Sequence, residues 1–219
     1  MNVNVRALRI SPTYTSRHWA ALSRTDSADW PMAAAIVRDR LEGRFLKFAD
    51  SALVDPFSGF VVLAIDSLLA ETIQQFRTGD TTGKDANGRG RSKRHVMDFL
   101  SGPRFQPAFD SDARVRFYED IRCGLLHQAE AKEMWLVRRG QKAMLQRVAG
   151  SKGYVMDVKL FHAAVRQSLE DYFRDIVNPS RDETRVNLWT KMDHICRIRE
   201  ARGLLYEADD DQTENVEST

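Results

Sequence analysis

The chain has 219 residues, 42% of them hydrophobic, which is enough apolar material for one packed domain. The formal net charge is only +2, but six of the 31 acidic residues lie in Glu207–Thr219, which has no Lys or Arg, so the rest of the chain carries +8. Two cysteines, Cys123 and Cys196, are too few for a disulfide framework. The longest apolar run, Phe60–Ile65, is too short to cross a bilayer. We therefore expect a cytoplasmic protein with no membrane contact.

Residues 1–29 are predicted to form an N-terminal extension with a strand, which Val3 and Val5, together with Leu8 and Ile10, indicate before a Ser-Pro break. The sequence Asp29-Trp30-Pro31 then indicates a helix start, with Asp29 as the cap and proline in the first turn. Apolar residues at helical spacing continue to Leu53, which predicts a long first helix.

A second helix is predicted from Ser58 to Phe76, after the break at Asp55-Pro56. Its apolar residues cover most of the circumference, so we expect the central and most buried helix. Asp66 lies among these residues, either buried or turned to solvent at the helix edge. If it is buried, its carboxylate needs a partner such as Arg122 or His127.

A polar, glycine-containing loop from Thr78 to Arg91 follows, and it leads into a short helix from Lys93 to Leu100. Between Lys84 and Arg94 there are five positive charges, and Asp85 is the one acidic residue. We call these five residues the basic segment: Lys84, Arg89, Arg91, Lys93 and Arg94. The basic segment is either a solvated surface or a contact for RNA.

The next predicted helix runs from about Asp112 to Lys132, with Val115, Tyr118, Ile121, Leu125 and Ala129 as its buried stripe. We call it the motif helix. Two β-like runs, 134–138 and 143–148, are separated by four polar residues and predict a β-hairpin within about 133–158, with 154–158 as a third strand.

Two further helices are predicted, 158–176 and a last one after Ser180, before a disordered acidic tail over 207–219. The fold class is therefore mainly α (α+β). We expect a single helical domain over 30–206, with the small β-hairpin or sheet inserted after the motif helix.

Arg122 and His127 on the motif helix are the candidate catalytic residues, because arginine holds a phosphate bidentately and imidazole exchanges protons near neutral pH. Five helical steps turn about 140°, so the two side chains flank a groove. Gly124 between them would let another element approach, which suits a helix packed against its own copy. The alternative is a pair of surface salt bridges, from Arg122 to Glu119 and from His127 to Glu130.

The segment Ile121-Arg122-Cys123-Gly124-Leu125-Leu126-His127 resembles the Arg-x(4–6)-His signature of the HEPN superfamily. The order of helices over about 30–132 is also similar to the HEPN layout, which implies an antiparallel HEPN-like bundle. Many HEPN proteins are metal-independent endoribonucleases that act as dimers in toxin–antitoxin and phage-defence systems. Cys123 stands where those motifs usually carry a polar residue, often Asn.

The resemblance implies that Arg122 neutralises the scissile phosphate and that His127 acts as general acid or base. Asp66, Glu119, Cys123 and Gly124 would support them, and the basic segment would hold the RNA. We expect no metal and no cofactor, and as partners RNA, a second copy of the chain and an antitoxin or defence-system protein. The alternatives are a non-catalytic dimerisation or interaction module and a nucleotide-binding protein.

Overall fold

The structure is a computed structural model that describes residues 8–128, 130–131 and 135–201, the last five as helix backbone only. It is mainly helical with one small sheet. The helices are α1 (Ser16–Ala20), α2 (Trp30–Leu41), α3 (Lys47–Ala52), α4 (Gly59–Thr78), α5 (Ser92–Leu100), α6 (Ser111–Arg116), α7 (Cys123–Gln128), α8 (Val158–Val177) and α9 (Asp182–Ala201). The strands are β1 (Trp135–Arg138), β2 (Leu145–Arg147) and β3 (Tyr154–Asp157).

Two π-helical segments join shorter helices into the long ones that the sequence predicts. Glu42–Leu46 connects α2 to α3, and Phe117–Arg122 connects α6 to α7. The wider π turn changes which residues of the motif helix face the core. Phe117 and Ile121 are fully buried, whereas Tyr118, predicted for the buried stripe, is only partly buried.

The central position of α4 is confirmed. It packs against α3, α5, α8, α9 and the π-helical segment Phe117–Arg122. By length and mean hydropathy, α4 would also pass as a membrane-spanning helix, but half of it is buried inside the chain, as expected for a core helix. Three of its predicted core residues, Phe60, Val61 and Leu68, are instead exposed.

The predicted β-hairpin is wrong, although the strands exist. Both β1 and β2 pair with β3, β1 in parallel and β2 antiparallel, so β3 is the central strand. The residues of the predicted turn bond to other elements: Arg139 donates to the carbonyl oxygens of Leu53 and Asp55, and the backbone N–H of Gln141 donates to the Asp157 carboxylate. These contacts to distant residues separate β1 from β2.

The N-terminal extension contributes to the core. Leu8 and Ile10 are buried, and Arg9 forms an antiparallel bridge with Thr15, whereas Val3 and Val5 of the predicted strand lie outside the described residues. The predicted cap of α2 is not formed, because the Asp29 carboxylate accepts the backbone N–H of Ser23. The predicted acidic tail also lies outside the described residues.

An aromatic cluster connects the motif helix to the bundle. The rings of Phe109 and Phe117 both pack against Phe161 of α8, at centroid distances of 5.9 and 5.1 Å. Trp135 of β1 donates its indole N–H to the buried Asp120 at 3.1 Å. The motif helix is therefore fixed on one side by α8 and on the other by the sheet.

Candidate functional site

Arg122 lies at the end of the π-helical segment, with its side chain 19% exposed. Its Nη2 donates to Oε2 of Glu71 on α4 at 2.9 Å, and its guanidinium lies 5.6 Å from the centroid of the Tyr118 ring. The predicted alternative pairing with Glu119 is wrong, because Glu119 pairs with Lys93 at 2.6 Å. Arg122 is therefore held across the helix interface and not along its own helix.

Glu71 connects the motif helix to Ser92, which lies between Arg91 and Lys93 of the basic segment. The Oε2 atom that accepts from Arg122 also accepts the hydroxyl of Ser92 at 2.7 Å, at the first residue of α5. Burial lowers the pKa of Arg122, but the charge and the hydrogen bond of Glu71 raise it by more, so the guanidinium stays charged. Nothing in the spacing along the sequence identified Glu71.

The basic segment follows α4 as a loop and continues into α5. The side chains of Lys84 and Arg89 are exposed, and neither forms an ion pair with the described residues. Arg91 lies 3.5 Å from Asp80, and Arg94 lies 3.5 Å from Asp98. The loop thus carries two exposed positive side chains without an ion pair among the described residues, with Asp85 between them in the sequence, and its base is tied to the protein.

Asp80 holds the base of this loop. Its Oδ1 accepts the backbone N–H groups of Thr82 and Gly83, and its Oδ2 lies 2.7 Å from Nε2 of the buried His95. Lys191 of α9 donates to the Asp80 carbonyl oxygen at 2.6 Å. Burial opposes ionisation of Asp80, but these hydrogen bonds outweigh it and lower its pKa to about 2.

His127 is exposed near the end of α7, within the sequence Leu126-His127-Gln128. The predicted alternative, an ion pair with Glu130, is absent among the described residues. Cys123 is partly buried and Gly124 is buried inside this single chain. Gly124 therefore does not present exposed backbone on the surface of this chain.

Asp66 belongs to a different cluster. It is fully buried, but its partner is His162 of α8, whose Nδ1 lies 2.9 Å from Asp66 Oδ1, and not Arg122 or His127. The other ring nitrogen of His162 lies 3.0 Å from Asp50 of α3. The predicted support of the motif by Asp66 is thus replaced by an Asp–His–Asp arrangement that ties α3, α4 and α8 together, with Asp66 and His162 buried and Asp50 partly exposed.

Burial lowers the pKa of His162, but the hydrogen bonds from its two ring nitrogens to Asp66 and Asp50 more than offset this and raise it. Burial also raises the pKa of Asp66, and the hydrogen bond to His162 offsets only part of that effect. The pair therefore holds its proton more tightly than the separated groups do. One signal in the sequence was available: His162 lies on the apolar face of its predicted helix.

Comparisons with protein-family models, with curated proteins and with solved structures found no match. Among the residues that the structure describes, no three His, Cys, Asp or Glu side chains converge as a metal site. The functional interpretation accordingly depends on the residues around Arg122 and on the motif.

Proposed function

We propose that this protein is an HEPN-like, metal-independent endoribonuclease that binds RNA along the basic segment and cuts it at Arg122 and His127. The supporting observation is the shared acceptor Glu71, whose Oε2 is bonded by both Arg122 and Ser92. Arg122 of the motif and Ser92, which lies between Arg91 and Lys93 of the basic segment, are thereby neighbours although they are far apart in the sequence. Such a joint surface can hold an RNA backbone beside a proton-transfer group.

In this proposal Glu71 orients Arg122 for the phosphate. It uses one N–H of the guanidinium, and a guanidinium has five N–H donors, so donors remain for a phosphate oxygen. His127 is exposed and can approach the ribose. It removes the proton from the 2′-OH, and the 2′-oxygen attacks phosphorus. The bond from phosphorus to the 5′-oxygen breaks, the 5′-oxygen takes a proton from water, and a 2′,3′-cyclic phosphate remains.

The proposal includes a homodimer, and the structure offers apolar surface for it. Phe60, Val61 and Leu68 of α4 and Leu126 of α7 are at least 36% exposed. Leu68 lies three residues before Glu71, and Leu126 directly precedes His127, so a partner on this surface would lie beside the motif. A cytoplasmic role in phage defence or growth arrest, with an antitoxin or defence-system partner, completes the proposal.

The test is cleavage of single-stranded and transfer RNA by purified protein in EDTA. We expect a 2′,3′-cyclic phosphate product, and losses of at least about a hundredfold in Arg122→Lys and His127→Gln. Arg104→Gln and His194→Gln are matched controls, because Arg104 pairs with Asp171 and His194 lies on α9. Unchanged cleavage by a folded Arg122→Lys or His127→Gln protein contradicts the proposal.

A second candidate is a non-catalytic interaction module, and the same exposed apolar residues favour it. In that case, Leu68→Lys disrupts oligomers in light scattering, and the wild-type protein cleaves none of the RNA pools. For the ribonuclease, Leu68→Lys reduces dimerisation and cleavage together. The two measurements on one variant separate the candidates.

A further inference from the structure

A cavity of about 360 Å³ lies between the turn before α2 and the start of α9. Its volume is in the range of sites for small ligands. It is lined by Arg24, Thr25, Ser27, Trp30, Asp182 and Arg185, together with Val186. None of these residues belongs to the surface around Arg122 and Glu71.

Arg185 is held in place by stacking. Its guanidinium carbon lies 3.8 Å from the centroid of the Trp30 ring, and Trp30 is itself fixed by a hydrogen bond from its indole N–H to the carbonyl oxygen of Arg24 at 3.2 Å. The Nε–H of Arg185 is buried and has no hydrogen-bond partner among the described residues. Stacking fixes the plane of the guanidinium without using its N–H donors.

The cavity contains two arginines, Arg24 and Arg185, that form no ion pair with a described carboxylate. Neither Arg24 nor Arg185 has a carboxylate oxygen within 4 Å in the part of the chain that the structure describes, although Asp182 lines the same cavity. Elsewhere, Arg38 and Arg104 each lie 2.7 Å from a carboxylate oxygen. Two unpaired arginines beside the hydroxyl groups of Thr25 and Ser27 form a set of donors suited to an anion.

We propose that this cavity binds the phosphate group of a small ligand, with Arg185 and Arg24 as the charged donors and Ser27 as a neutral one. A planar guanidinium pre-oriented on an aromatic ring binds phosphate bidentately at a low entropic cost. The volume accommodates a ligand larger than phosphate alone, such as a nucleotide. The carboxylate of Asp182, which also lines the cavity, opposes binding of the anion. The proposal does not depend on the ribonuclease activity.

Calorimetry at low ionic strength tests it with inorganic phosphate, ADP and adenosine. We expect phosphate and ADP to bind and adenosine not to bind; tighter binding of ADP than of phosphate identifies a nucleotide as the source of the phosphate group. Arg185→Gln and Arg24→Gln should each weaken binding at least about tenfold, and Asp182→Asn should strengthen it. Arg104→Gln, which changes a paired arginine, should leave it unchanged.

Arg24→Gln keeps the test decisive if loss of the stack on Trp30 unfolds Arg185→Gln, because the Arg24 side chain is exposed. Binding of adenosine as tight as that of ADP overturns the proposal. So does affinity for phosphate and ADP that is unaffected by Arg24→Gln, or an absence of binding by either ligand at millimolar concentration.

Discussion

Replacement of His162 by alanine tests the buried Asp66–His162–Asp50 cluster. Asp66 is fully buried, and His162 provides its hydrogen bond, while the second carboxylate oxygen, Oδ2, has no partner. Without the imidazole, the Asp66 carboxylate must either stay charged in the core or take up a proton. Asp50 is affected less, because it also pairs with Arg166 near the surface.

The loss of stability in His162→Ala can be calculated from the free energy needed to protonate Asp66. An aspartate has a pKa of about 3.9 in an unfolded chain and each unit is worth about 1.36 kcal/mol, so keeping Asp66 neutral at pH 7 costs roughly 4 kcal/mol. This value agrees with the about 3–5 kcal/mol expected when one partner of a buried ion pair is removed. We expect the free energy of unfolding to fall by that amount, and the melting temperature by about 6–20 °C.

The pH dependence is diagnostic. At pH 5 a proton on Asp66 costs only about 1.5 kcal/mol, so the difference between wild type and His162→Ala should shrink by up to about 2.7 kcal/mol, whereas the packing loss does not change with pH. The stability of the wild type also depends on pH, because the pKa of His162 is raised in the folded protein. The native state binds more protons than the unfolded chain above pH 6.5, so stability falls as the pH rises through the pKa of His162 in the folded protein.

Urea unfolding at pH 5 and pH 7 measures these differences. His194→Ala, a partly exposed histidine on α9, is the matched control, with an expected effect below about 0.5 kcal/mol. Adding Asp66→Asn to His162→Ala should recover about 1 kcal/mol or more, because no charge remains buried. A cost below about 1 kcal/mol for His162→Ala at both pH values would show that Asp66 is not ionised in the native protein.

Three further predictions concern the basic segment and its base. Asp80→Asn should lower the free energy of unfolding by about 2 kcal/mol at pH 7. The wild type loses this contribution as the pH falls from about 4 to 2. Acid unfolding that is identical in the two proteins contradicts the prediction. Gly79→Ala should destabilise more than Gly88→Ala in urea unfolding, because both have positive φ but only at Gly79 would a Cβ lie 2.9 Å from Asn187; equal costs would refute that contact. Lys84→Gln combined with Arg89→Gln should lower the salt slope of RNA binding by roughly 1.4, measured by fluorescence anisotropy, and an unchanged slope would place the RNA elsewhere.

Local patterns predicted most of the helices. The apolar spacing that predicted the central helix at Ser58–Phe76 corresponds to α4, and 158–176 corresponds to α8, because periodicity reports which face of a helix is buried. Strand pairing was not predictable in the same way. The strands β1 and β2 are near in sequence, but each pairs with β3 and not with the other. Arg139, which follows β1, bonds instead to the connection between α3 and α4.

The sequence by itself determined the composition of the candidate site: an Arg-x(4)-His motif on a helix, a cluster of positive charges in a loop, and a mainly helical chain. Only the tertiary structure decided which charges meet. Arg122 pairs with Glu71, which is 51 positions away, and Asp66 pairs with His162, 96 positions away. The physical reason is that an ion pair between helices depends on their packing and rotation, to which residues throughout the core contribute, whereas a motif needs only neighbours along one helix.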